Sequence, residues 1–578
     1  MPALYPSQAD GRLLVERPHR WPTTDRPPSI DAARHDGRME HDEPATTTVD
    51  GEKNPASATR RDAPLARTAL GTYRGVAGER ADIWRGIRYA EAPVGDLRWR
   101  RAVPLTPNGS PDATVDARTF GAVNPQEPNP AVRLGPDVVM DEDCLFLNVW
   151  TPPGASARSG SGDGLPVMVW LHGGAYVLGS GSQPFYEGSN LASAGDVVVV
   201  TLNYRLGLHG FADLSSIDPR FESNVGLSDV LAALGWVRDH IAGFGGDPRR
   251  VTVFGESAGA GLVTALLAMP AAEGLFGRAI AQSSPVTSMY GTERAARVAG
   301  LLLESLGVDA GDPARAVEAI EKLDGARCSA LTSDLFARVP TDWPGTIAFA
   351  PVVDGDLLPE YPLDVYRAGR ALPVPLIIGT NRDEANLFKY MKSPLMPITT
   401  EEIERMFASM AAEYPDVVLP ERAQVLSAYS GLKPKVTGLG VARDVAFRMP
   451  TLWLADAHAH RAPTYVYRYD WCPRMFRLLG LGAAHATEVP YVWGNLGATP
   501  RDITFLFGGR KHGEAVSQRM IRRWTDFAHG REPDADDDWP TYDSGHRPVL
   551  RIDAQDRVVA NLDGDLWEAW GEEPLSFR

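Results

Sequence analysis

Ser257 stands in Gly255-Glu256-Ser257-Ala258-Gly259, directly after the apolar run Val251-Thr252-Val253-Phe254. A buried strand that runs into G-x-S-x-G and then into a helix sets its serine on a strained turn, hydroxyl outward. The flanking glycines lack a Cβ, so strand and helix can pack closely behind that serine. A serine hydroxyl is a weak nucleophile until a base takes its proton, and the base needs an acid to fix its tautomer. Attack on an acyl carbon also creates an oxyanion, which backbone N–H donors must already face. His172-Gly173-Gly174-Ala175, following the strand-like Pro166-Val167-Met168-Val169-Trp170-Leu171, suits that task. With Ala258, the residue after the serine, Gly173 and Gly174 are the candidate donors. The chemistry implied is acyl transfer through an acyl-serine.

Further motifs accompany this pair. Glu142-Asp143-Cys144-Leu145-Phe146-Leu147-Asn148-Val149 matches the signature E-D-C-L-x-L-N-V, by which the chain resembles the type-B carboxylesterase family. That family includes bacterial para-nitrobenzyl esterase-like enzymes, animal carboxylesterases and cholinesterases. Gly86-Ile87-Arg88-Tyr89-Ala90, Pro93-Val94-Gly95, Asn203-Tyr204-Arg205-Leu206-Gly207, Phe244-Gly245-Gly246-Asp247-Pro248 and Gly379-Thr380-Asn381-Arg382-Asp383-Glu384 extend the resemblance over most of the chain. It implies the α/β-hydrolase fold: a large, mostly parallel central sheet flanked by helices, with helical insertions. In that fold the triad order is serine, acid, histidine. Among twelve histidines, His485 is the candidate base, because His485-Ala486-Thr487-Glu488-Val489-Pro490-Tyr491-Val492-Trp493-Gly494-Asn495 resembles the family's histidine segment. His458 and His460 fall near an expected helix end, and His512, His529 and His546 lie in polar stretches that read as surface.

For the acid, Glu384 follows the apolar run Val374-Pro375-Leu376-Ile377-Ile378, at a strand end, with Asp383 as its close rival. The family pattern D-E-G gives the role to the second acid, hence Glu384, although Ala385 replaces the usual glycine. By the same resemblance Glu256 and Ser283 support the triad, Glu256 being placed to stabilise an imidazolium.

These side chains need elements to hold them. Residues 68 to 150 read as antiparallel strands with Pro and Gly turns, followed by alternating strands and helices. Val197 to Leu202 reads as a continuous apolar strand. Leu227, Val230, Leu231, Leu234, Val237 and Ile241 repeat at helical spacing, which gives a core-facing helix before the Ser257 strand. Methionine and aromatic residues in 386–410 and 470–495 either line an acyl or alcohol pocket or pack the core, core packing being the simpler reading. Motifs interleave along the chain, so residues 65–575 are expected to form one domain. Residues 1–64 are rich in Pro, Asp, Arg, Thr and Ser without apolar periodicity, and are expected to be a disordered extension.

With 578 residues and 44% hydrophobic content the chain can bury a sizeable core. A net charge of −16 argues against nucleic acid as a partner, which needs a basic footprint. The first residues carry no apolar run of secretory-signal length, and no stretch approaches the length of a bilayer span. The acidic run Asp534-Ala535-Asp536-Asp537-Asp538 reads as a solvated loop. Extracellular relatives commonly bridge the cysteine of the E-D-C-L motif to one in an F-G-x-x-C-P-like segment. Here that segment is Phe120-Gly121-Ala122-Val123-Asn124-Pro125, so Cys144 is expected to be a free buried thiol in a reducing, cytoplasmic setting. No metal spacing, phosphate loop or internal repeat is present, so neither cofactor nor metal is expected.

The leading reading is a carboxylic-ester hydrolase acting on small neutral esters. A catalytically dead cholinesterase-like binding module is disfavoured, because all three triad positions are occupied. An amidase, lipase or acyltransferase would use the same machinery. Cholinesterases hold a quaternary ammonium over a tryptophan about ten residues before the E-D-C-L cysteine. Here Leu134 stands there, and no aromatic residue lies between Phe120 and Phe146. The sequence leaves the oligomeric state open.

Overall fold

The apolar runs of the sequence become the middle of an eleven-stranded sheet in the computed structural model. Described are residues 61–575, except 108–112, 130–131, 136, 159–163, 414–418, 432–433, 499–501 and 535–538. The extension expected over residues 1–64 therefore lies, as far as residue 60, outside the described residues. A compact unit begins at Arg61, whose guanidinium sits 2.7 Å from Asp82 Oδ1.

In chain order the strands are β1 (Val76–Ala77), β2 (Asp82–Arg88), β3 (Phe146–Thr151), β4 (Leu165–Leu171), β5 (Val198–Leu202) and β6 (Gly246–Glu256). They continue with β7 (Arg278–Gln282), β8 (Leu376–Asn381), β9 (Thr464–Tyr469), β10 (Pro548–Ile552) and β11 (Arg557–Ala560). Across the sheet the order is β11-β10-β9-β8-β7-β6-β4-β5-β3-β2-β1. From β5 to β10 every neighbouring pair is parallel. Both edges are antiparallel; the β1-β2-β3-β5 edge agrees with the reading of residues 68–150, although Gly71–Arg74 pairs in parallel with Thr114–Asp116 in a separate small sheet. β4, β5 and β8 are buried at every position, because helices cover both faces of the parallel part. This is the α/β-hydrolase arrangement that the resemblance implied.

The helix expected before the Ser257 strand is α1 (Val225–His240). Leu227, Val230, Leu234 and Val237 are buried, whereas Leu231 only packs against the core from a half-buried position. Ile241 falls in the 3-10 turn that continues α1. Four further helices matter for the site: α2 (Ala258–Leu267), α3 (Ala385–Met391), α4 (Met449–Ala459) and α5 (Arg510–His529). The turns that follow β4, β6 and β8, and the loop after β9, all leave the sheet at its carboxyl edge, where open α/β sheets bind their ligands. These turns carry Gly173, Ser257, Glu384 and His485, respectively.

Two packing features fix those turns relative to one another. Trp170 of β4, Phe254 of β6 and Trp493, eight residues after His485, pack with ring centroids 4.8–5.7 Å apart. Each aromatic pair adds roughly 0.5–1.5 kcal/mol beyond area burial, so the His485 loop is anchored to the serine strand by stacking. Buried ion pairs fix the periphery: Arg205 meets Asp229 at 2.6 Å, both side chains nearly inaccessible. Breaking such a pair strands a buried charge and costs about 3–5 kcal/mol.

Two surface expectations are corrected here. Asp534, the first residue of the acidic run, is buried and bonded to the equally buried Arg523 at 2.6 Å. A guanidinium held inside α5 needs a carboxylate partner, and this need outweighs the acidity of the run. Asp536, Asp537 and Asp538 lie outside the described residues. His529 is half-buried, and its Nε2 donates to the Gly195 carbonyl at 2.9 Å. His512 and His546 are exposed. His458, at the end of α4, donates from Nε2 to the Val374 carbonyl at 2.8 Å and so ties that helix to the sheet.

Candidate active site

Ser257 occupies the single residue between β6 and α2, at φ 58° and ψ −125°. A side chain in that region is strained by about 1–3 kcal/mol, tolerated only because its surroundings over-determine it. The surroundings do so through two glycines. A Cβ on Gly259 would stand 1.9 Å from the Leu171 carbonyl oxygen, and one on Gly255 would stand 2.7 Å from the Gly259 backbone. The turn is held from below by Ser257 N–H donating to the Gln282 carbonyl at 2.9 Å.

The Gly173-Gly174 turn abuts it. A Cβ on Gly173 would meet Glu256 Oε2 at 2.7 Å and Ser257 Cβ at 3.0 Å. Gly174 has φ 120°, and a Cβ there would strike the Leu178 carbonyl at 2.1 Å. Neither glycine donates a backbone hydrogen bond among the described residues. Ala258, at the first position of α2, has an N–H with no partner within the helix. His172 sets the turn from inside: its Nδ1 lies 2.9 Å from the Gly173 carbonyl, its ring stacks on Tyr204 at 4.3 Å, and burial holds its pKa down at about 4. It therefore stays neutral and structural.

Glu384 and His485 meet in the interior. His485 Nδ1 lies 2.6 Å from Glu384 Oε2. Glu384 Oε1 accepts from Ser283 Oγ and from the Asn381 N–H, each at 2.6 Å. Both carboxylate oxygens are thus engaged, and the carboxylate is fully buried. Asp383 has a different task. Its Oδ2 accepts from Arg382 at 2.8 Å and from the Ala483 N–H at 2.9 Å, while its own N–H donates to the Ala483 carbonyl. Together with Asn381 Nδ2, which donates to the Ala484 carbonyl at 2.7 Å, it staples the acid turn to the histidine turn. Ala385, where the family usually has glycine, begins α3 with helical geometry, so the missing glycine costs nothing.

On the other side of the imidazole, Nε2 lies 3.1 Å from Glu256 Oε1, without hydrogen-bond alignment. The two groups shape one another's proton affinity. Burial pushes the Glu256 carboxyl up to about 8, opposed by His485 and reinforced by Glu488 and Glu384. Burial alone would lower His485, but the carboxylates of Glu256 and Glu384 outweigh it and carry it up to about 9. Because each group's charge acts directly on the other, the pair titrates as a unit. Glu256 and Ser283, the two supporting residues expected from the sequence, stand beside His485 and Glu384 respectively.

Further residues without a role in the sequence motifs reach the same place. Glu488 is fully buried and accepts from Gln282 Nε2 at 3.0 Å and from Asn381 Nδ2. Asn381 and Glu488 both lay inside family-like segments, which was the available signal. Phe447 stacks on the His485 ring at 4.5 Å and Phe388 packs against it at 5.2 Å. Phe447 belongs to a π-helical turn, Asp444–Arg448, for which the sequence gives no sign. In the same turn Arg448 donates to the Asn381 carbonyl at 2.8 Å and pairs with Asp563 at 3.0 Å.

A cavity opens over Ser257, walled by Tyr176, Ile347, Phe388, Met396, Met406 and Phe447, among others. Its lining includes no charged side chain among the described residues. Of the methionine and aromatic residues of 386–410, Phe388, Met396, Met406 and Met410 line it, whereas Tyr491 and Trp493 of 470–495 pack the core instead. No cluster of three or more His, Cys, Asp or Glu that could hold a metal occurs among the described residues. Cys144, Cys328 and Cys472 are buried and unpaired.

Residues 62–570 match the model of the Carboxylesterase family. The chain is 36% identical to the para-nitrobenzyl esterase of Bacillus subtilis (strain 168), over 85% of this chain and 95% of that one. It is 34% identical to the fumonisin B1 esterase of Sphingopyxis macrogoltabida, over 85% and 86% of the two chains. Among solved structures, a thermophilic para-nitrobenzyl esterase superposes with a TM-score of 0.74 at 32% identity, covering 88% of this chain and 99% of that one. On these grounds and on its fold, the chain belongs to the carboxylesterase family and is a carboxylic-ester hydrolase.

Proposed function

We propose that Ser257, His485 and Glu384 form the catalytic triad and that Gly173, Gly174 and Ala258 supply the oxyanion hole. The observation that carries this reading is the Glu384–His485 contact. A carboxylate with both oxygens occupied accepts from Nδ1, which puts the neutral imidazole in the tautomer whose Nε2 has a free lone pair. Nε2 has no hydrogen-bond partner among the described residues, and such catalytic contacts often tighten only with substrate bound. In the reaction Ser257 Oγ attacks the acyl carbon as His485 takes its proton. His485 then returns a proton to the leaving alcohol, and a water repeats the sequence to free the acid. Glu256, at 3.1 Å from Nε2, faces the imidazolium formed midway.

An uncharged cavity wall and the lack of aromatics between Phe120 and Phe146 favour small neutral esters over cationic ones. Three unpaired thiols support a reducing, cytoplasmic setting. The test is to label the protein with a sulfonyl fluoride and map the adduct, then to assay p-nitrophenyl esters of graded acyl length beside amides and emulsified triglyceride. Labelling at Ser257 alone, with short neutral esters turned over fastest, is expected. An adduct on another serine rejects the assignment.

A further inference from the structure

Outside the cavity, α3 ends in Lys389-Tyr390-Met391-Lys392, with Tyr390 64% exposed. A second exposed apolar pair, Leu478 at 71% and Leu479 at 45%, closes the short helix Arg474–Leu478. The fold brings the two together. Asn386 Nδ2 donates to the Leu481 carbonyl at 3.1 Å, and Leu481 N–H folds back onto the Phe476 carbonyl at 2.8 Å. Asn386 and Tyr390 are four residues apart and so share one face of α3, the face on which this turn is docked.

Four cations lie beside these apolar residues on the same two segments. Lys392, Arg474 and Arg477 are exposed and Lys389 half-exposed, and none forms an ion pair among the described residues. The nearby carboxylate of Asp383 is already satisfied by Arg382 and the Ala483 N–H. In a chain of net charge −16, four cations without an ion-pair partner among the described residues thus accompany three exposed apolar side chains on two adjoining segments. The position matters as well: α3 also lends Phe388 to the wall of the cavity over Ser257.

We propose that Tyr390, Leu478 and Leu479, accompanied by Lys389, Lys392, Arg474 and Arg477, form a docking surface for an anionic lipid–water interface. Apolar side chains that insert at the headgroup boundary and basic residues that meet anionic lipid are the two contributions such binding needs. Tyrosine suits the site because its ring is apolar and its hydroxyl remains wet. Docking there holds the cavity against a phase in which neutral esters concentrate. This consequence rests on the ester-hydrolase assignment of the cavity, whereas the docking itself does not.

The test is co-sedimentation of the full chain with vesicles of phosphatidylcholine alone or mixed with phosphatidylglycerol, at low salt. Each basic residue near an anionic surface contributes about fivefold in partitioning, so the parent should prefer anionic vesicles by at least ~tenfold. Lys392→Glu/Arg474→Glu should lose at least ~twentyfold of anionic binding. Leu478→Asp/Leu479→Asp should lose at least ~tenfold on the same vesicles. Both variants should hydrolyse dissolved p-nitrophenyl butyrate at the parent rate, which shows that they are folded. Equal parental binding to the two vesicle types, no binding to either, or variants that bind like the parent overturns the proposal. Vesicle binding by a chain inactive on dissolved esters would uphold the docking surface and reject the ester reading instead.

Discussion

Replacing Glu384 by glutamine tests the site at its most constrained atom. Glu384 Oε1 accepts from the Asn381 N–H, which can only donate, and from Ser283 Oγ. An amide in this slot must therefore keep its oxygen at the Oε1 position. Its NH2 group is left 2.6 Å from His485 Nδ1, where the carboxylate oxygen had been. Nδ1 must now accept, so the ring proton moves to Nε2, the atom that should take the serine proton. Volume and packing are unchanged, and KM should stay within about threefold. A wrong-tautomer histidine costs about 10⁴ in kcat in the serine-protease case, so a fall of roughly 10³–10⁴ is expected here. That fall corresponds to about 4–5.5 kcal/mol of barrier. The assay is steady-state hydrolysis of p-nitrophenyl butyrate, with Tm measured to show that the variant is folded. Asp383→Asn is the control, since Asp383 holds Arg382 and the Ala483 N–H rather than the imidazole, and its loss should lower kcat less than about tenfold. A kcat for Glu384→Gln within tenfold of the parent, or the reverse ranking of the two variants, would refute the reasoning.

Other perturbations probe different parts of the site. Ser257→Ala should lower turnover by at least ~10³-fold at unchanged Tm; a residual rate within tenfold of the parent sinks the nucleophile assignment. His485 must be neutral to act as base, and the charge of Glu256 raises its pKa, so Glu256→Gln should move the acid limb of kcat/KM to lower pH. A limb that stays put or moves upward contradicts the coupling. Gly259→Ala drives a methyl into the Leu171 carbonyl at 1.9 Å, and should cost about 3 kcal/mol or more in a urea melt; a loss below about 1 kcal/mol would show that the turn is slack. Losing a desolvated cation–π contact costs roughly 2 kcal/mol, about thirtyfold in affinity, so no preference for choline esters is expected. A kcat/KM for butyrylcholine tenfold above that of its uncharged dimethylbutyl analogue would show that another residue binds the cation.

The local chemistry was written in the sequence. Gly255, Ser257 and Gly259 follow an apolar strand because only glycine fits where β6 and α2 cross the end of β4, and that demand reaches the sequence as a motif. The strands and α1 are legible because periodicity and residue type record burial directly, whereas the free Cys144 was read from the partner cysteine that the family segment lacks here. Choosing Glu384 over Asp383 already leaned on resemblance, because two adjacent acids have identical local signals. The tertiary structure separates them: one carboxylate faces His485, 101 residues away, and the other staples two loops.

Long-range pairing decided the rest. Asp534 reads as solvated because its neighbours are acidic, yet Arg523 inside α5 draws it into the protein. Glu488 and Asn381 gain meaning only when the loops after β8 and β9 meet. Phe447 reaches the imidazole through a π-helical turn, one residue out of α-helical phase, and no pattern of 3.6-residue periodicity encodes that shift. The sequence by itself marked Ser257 and the glycines packed about it, because their backbone needs are local. Which proton each group holds depends on charges that only folding brings within a few ångströms, so that was left to the tertiary structure.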